Sequence, residues 1–170
     1  MVEQVVVVGV DGSPASFTAL RWALAHAEHT DAQVRTVRCW MPVRENGNGW
    51  EPAATAEPVR PRAEQEVRAE RELADVVAAA RRQVPGGAAQ VAVQRRVVRG
   101  PTGPMLVGEA DGAALLVVGR RGHRRIAELL HRSVSSYCER HATCPVLVIP
   151  PAMATRRALG AQRGFALVRE

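Results

Sequence analysis

The 170 residues are 46% hydrophobic and 24% charged, ordinary proportions for a soluble globular chain, and they suffice for one domain with a substantial core. The net charge of +6 comes from 23 arginines and no lysine, in a chain also rich in alanine and valine, the profile of GC-rich coding rather than of a dedicated polyanion binder. With 4% aromatic residues and no reading helix, a specific nucleic-acid partner is not expected. No stretch approaches the roughly 18 consecutive apolar residues of a membrane span.

The first residues, "MVEQVVVVGVDG", are apolar but carry Glu3 where a signal peptide would be basic, so no leader is expected and the cytoplasm is the expected compartment. "QVVVVGV" at 4–10 is a continuous β-branched run, the pattern of a strand buried on both faces of a parallel sheet. "DGSPAS" then turns the chain into a helix, with Ser13 as N-cap and Pro14 in the first helical position. Phe17, Leu20, Leu24 and Ala27 mark its inner face, and Trp22 is expected to pack half-buried. A second strand over 33–41 is ended by Pro42.

Residues 42–62 hold Pro42, Pro52, Pro58 and Pro61 with Gly47 and Gly49, which predicts a flexible surface loop. A second helix follows from Ala63 to Val84, its inner stripe read as Val67, Leu73, Val76, Val77 and Ala80. "AQVAVQRRVVRG" at 89–100 predicts a third strand, and a short helix runs from about Pro104 to Glu109 with Met105, Leu106 and Ala110 inward. "ALLVVG" at 114–119 is a fourth strand. A helix through Val134, Tyr137 and Cys138 leads to the fifth, "CPVLVIP", and 151–170 reads as a basic tail outside the domain formed by 1–150.

Strands alternating with helices imply a parallel α/β sheet with right-handed crossovers and helices on both faces, a Rossmann-like architecture. Ligands in such sheets sit beyond the carboxyl ends of the strands, where crossovers diverge. Two strand ends carry suitable chemistry: the polar turn Asp11-Gly12, and "VVGRRG", where Gly119 and Gly122 follow a buried strand. Cys39, Cys138 and Cys144 form no CxxC pair, so reduced packing thiols are expected. His123, His131 and His141 lack metal-ligand spacing, so no metal site is expected.

"VGVDGS", "VVGRRG" and "HATCPVLVIP", in this order and at these separations, resemble the universal stress protein family across residues 3–150. The resemblance implies a five-stranded sheet in the order 3-2-1-4-5 and a stress-response or signalling role. It also implies a homodimer in which the last strand, 146–149, pairs across a two-fold axis. Members that bind ATP carry two glycines separated by two residues, then nine residues, then glycine followed by serine or threonine. Gly119, Gly122, the nine residues His123 to His131, and Ser133 fit; Arg132 stands in place of the last glycine.

By the same resemblance the turn Val10, Asp11 and Gly12 would meet the ribose or phosphates, with Mg²⁺ carried through the nucleotide, and Cys39 would lie against the adenine. The amides of Ser133, Val134 and Ser135 would face the phosphates. Trp40 either lines the adenine pocket or covers the sheet edge, and Asp11 is equally a turn-capping residue. Arg132 could obstruct the phosphates, supply charge together with Arg124 and Arg125, or point to solvent. There is no GxxxxGK[ST] loop and no nucleophile-base couple, so at most slow ATP hydrolysis is expected. Two readings stay open: an ATP-like nucleotide binder, or a nucleotide-free dimeric interaction module of the same fold that uses its arginines to engage an acidic protein partner.

Overall fold

The computed structural model describes residues 4–41, 62–120 and 133–150. The loop expected before Arg62, the stretch containing Gly122, Arg124, Arg125 and Arg132, and the tail after Pro150 lie outside the described residues.

Five strands form one parallel sheet in the order β3-β2-β1-β4-β5. In chain order the elements are β1 (Val5–Gly9), α1 (Pro14–Thr30), β2 (Gln33–Trp40), α2 (Arg62–Arg82), a 3₁₀ turn (Pro85–Ala88), β3 (Val93–Arg99), α3 (Thr102–Glu109), β4 (Leu115–Gly119), α4 (Val134–His141) and β5 (Val146–Ile149). The expected strand order and helix placement are observed.

Alternation along the strands divides the core into two layers. Val6, Val8, Val34, Leu115, Val117 and Leu147 meet Leu20 and Leu24 of α1 and Leu73 and Val77 of α2. Val7, Val37, Leu116 and Val118 face Leu106 of α3 and Cys138 of α4. Each fully buried aliphatic side chain contributes about 1.5–3 kcal/mol, so the middle strands β1 and β4, buried on both sides, anchor the fold.

Three sequence expectations are corrected. Val67 is exposed: it lies six residues from Leu73, about 240° round the helix, while Ala69, Leu73, Val77 and Ala80 form the buried ladder. β3 begins at Val93 because the preceding residues close the 3₁₀ turn, with Ala88 at φ 44°. α3 begins at Thr102 rather than Pro104, because a proline in the first turn removes an N–H that has no helical acceptor anyway.

Candidate functional site

The order of the sheet puts the switch point between β1 and β4, whose connections leave to opposite faces. At the end of β1, the N–H of Val10 donates to the carbonyl of Val37 at 2.9 Å and carries the strand geometry one residue further. Asp11 is exposed, and its Oδ1 accepts from the Ser13 N–H at 2.9 Å, an Asx turn that sets up the helix. Gly12 has φ 82°, the left-handed conformation this turn requires. Ser13 then caps α1, its Oγ accepting from the Ser16 N–H at 3.2 Å.

Gly119 ends β4 against that same helix start. A Cβ placed on it would lie 2.5 Å from the carbonyl carbon of Ala15 and 2.7 Å from the nitrogen of Ser16. The clearance at this glycine is filled by the backbone of α1.

Cys39, near the end of β2, is half-buried on the α3 side, and its Sγ lies 3.9 Å from the Thr102 carbonyl. Burial, assisted by the negative charge of Glu109, pushes its thiol up to about 11, so it offers an apolar wall rather than a nucleophile. Trp40 is partly buried, and its indole N–H is enclosed without an acceptor among the described residues.

Right-handed crossovers bring the amino end of α4 to the carboxyl edge of the sheet. Ser133 is its N-cap: Oγ accepts from the Ser136 N–H at 3.2 Å and donates to Ser136 Oγ at 2.9 Å. Ser135 is buried and Val134 exposed. Their backbone N–H groups have no acceptor among the described residues, as the first turn of a helix leaves them. Thus the ends of β1, β2 and β4 and the start of α4 share one edge of the molecule, while Gly122 and Arg132 lie outside the described residues.

One residue at this edge escaped the sequence reading. Arg38 of β2 reaches toward the β1–α1 turn, its Nη1 standing 3.9 Å from where a Cβ on Gly12 would be, and it pairs with Glu72 of α2. Glu72 also accepts from Arg68 at 2.7 Å; that hydrogen bond first, and the charge of Arg38 after it, hold its carboxyl below the usual carboxylate range. The only sequence signal for Arg38 was a charged residue at an inward position of an alternating strand. A groove of about 480 Å³ lies along the first turns of α2, walled by Ala63, Glu64, Val67, Arg68 and Arg71. Among the described residues no three His, Cys, Asp or Glu side chains come together to hold a metal, and no helix is long and apolar enough to cross a membrane.

The sequence profile of the universal stress protein family matches residues 3–150. The chain belongs to that family. A universal stress protein of Mycobacterium tuberculosis is 34% identical over 157 residues, covering 85% of this chain but 47% of the relative. The chain therefore spans about half the length of the curated relatives it matches. Among solved structures, a universal stress protein in complex with cAMP is 29% identical, with TM-score 0.61 and coverage of 87% of this chain and 97% of that one. One from Archaeoglobus fulgidus in complex with dAMP shares the fold at 21% identity and TM-score 0.59, covering 88% and 99%.

Proposed function

We propose that this universal stress protein binds an adenine nucleotide, ATP or a close analogue, over the carboxyl ends of β1 and β4 and signals its occupancy. The observation that carries the reading is that the Asp11-Gly12 turn closes β1 at the switch point beside β4, the strand that is followed by the capped amino end of α4. The cAMP complex of the 29%-identical relative supports it. The donor set fits a phosphate: the open N–H groups of Val134 and Ser135 lie at the positive end of the α4 dipole. Cys39 and Trp40 would flank the base, Val10 and Asp11 the ribose, and Mg²⁺ would be held chiefly by the nucleotide's own phosphates. The role is sensing, with two copies associating through β5.

A second reading, a nucleotide-free interaction module, draws on Gly119. Its lack of a side chain is required by the backbone of α1, so this glycine alone does not report a ligand. Calorimetric titration with ATP, AMP and cAMP, with and without Mg²⁺, separates the two. Saturable binding is expected, weakened about tenfold in Asp11→Asn, a change that keeps the acceptor of the Asx turn while removing the charge. No binding by the wild-type chain at millimolar nucleotide, with binding gained in Arg132→Gly, would establish the second reading.

A further inference from the structure

β3 is the edge of the sheet opposite β5, and its hydrogen bonding to β2 is one-sided. The Val34 N–H donates to the Ala92 carbonyl at 2.9 Å and the Gly100 N–H to the Trp40 carbonyl at 3.0 Å, so the even-numbered residues of this segment face β2. In a parallel ladder both backbone groups of a residue point to the same side, so Val93, Arg95, Val97 and Arg99 turn theirs outward. Among the described residues no element takes them up.

The side chains along this edge carry a single sign of charge. Arg95, Arg96 and Arg99 are exposed, and β3 contains no acid. Arg96 meets Glu109 at 3.5 Å on the α3 side. Arg95 and Arg99 have no ion-pair partner among the described residues; they project on the α2 side, flanking the half-buried Val97. Four residues of strand separate them by about 13 Å. Two such edges cannot pair with each other, because arginines would oppose arginines. A strand carrying acids four residues apart with an apolar residue midway would satisfy the open backbone groups, both free guanidinium groups and Val97 together.

We infer that the β3 edge docks an extended acidic segment of a partner protein, added as a sixth strand over Arg95, Val97 and Arg99. The surface is independent of the nucleotide reading, since it shares no residue with that site.

The test uses the full chain and a fluorescent peptide with the core Glu-Thr-Val-Thr-Glu, followed by anisotropy. Saturable binding is expected, falling as salt is raised from about 50 to about 300 mM because the pairs are exposed. The double variant Arg95→Gln, Arg99→Gln should bind at least about tenfold more weakly with an unchanged melting curve, both side chains being outside the core. A peptide of the same composition with its two acids adjacent, and one N-methylated on the residues facing β3, should lose binding. The inference is overturned if the wild-type chain ignores the peptide, which would leave the arginines as guards against edge aggregation. It is equally overturned if the N-methylated or rearranged peptide binds as well as the original, or if a single-stranded oligonucleotide is preferred.

Discussion

Gly119 has no positive φ, yet an added Cβ would strike Ala15 and Ser16 backbone atoms at 2.5–2.8 Å. Gly12 is the converse, with φ 82° and its nearest neighbour, the end of the Arg38 side chain, at 3.9 Å. Gly119→Ala must separate α1 from β4, so a loss of about 3 kcal/mol in urea unfolding is expected. Gly12→Ala meets strain but no collision and should lose about 1 kcal/mol. The reverse order of losses would show that the glycine of the β4 end is not a packing residue. The sequence identified both glycines, but not which atoms approach them, because spacing along a chain carries no information about a helix that arrives from elsewhere.

At the level of elements, α1 carries a titrating contact as well as the capped turn. Trp22 and His26, one turn apart, stack with ring centroids 4.8 Å apart and planes 10° from parallel. Burial, and secondarily the nearby His29, lowers the pKa of His26 below its ordinary 6.5. The folded state therefore favours the neutral ring, and the unfolded chain binds the proton more readily. Stability from this group is complete above pH 6.5 and is lost as pH falls through the lower folded-state value. Unfolding free energy measured across this range should drop on acidification, and His26→Phe should flatten that slope while keeping the stack; an unchanged slope would locate the titration elsewhere. Periodicity made α1 legible because its buried ladder is regular. It misplaced Val67 in α2, where the helix rests on the sheet through Ala69, Leu73, Val77 and Ala80.

The whole molecule has two unlike edges. In β5, the Leu116 N–H donates to the Pro145 carbonyl and the Arg120 N–H to that of Ile149, which leaves Val146 and Val148 with outward backbone groups. Neither residue is charged, so this edge can meet its own copy, as the arginines of β3 cannot. Sedimentation should find a dimer, and Val148→Pro, which removes an outward N–H without touching the β4 ladder, should yield a folded monomer. A wild-type monomer at all concentrations, or a dimer untouched by the proline, would rule out pairing through β5.

The residues by themselves determined the alternation of buried strands with capped helices, the Asp11-Gly12 turn and the family. These rest on β-branched runs, on an N-cap such as Ser13, and on a left-handed glycine, all interactions between residues close along the chain. Tertiary structure alone decided that α1 occupies the space beside Gly119, that Arg38 and Glu72 tie β2 to α2 at the candidate site, and that β3 is a basic strand at the edge of the sheet, unpaired on its outer side among the described residues. Each of those depends on where the crossovers carry distant segments, and contacts made across a sheet leave no local pattern in the sequence.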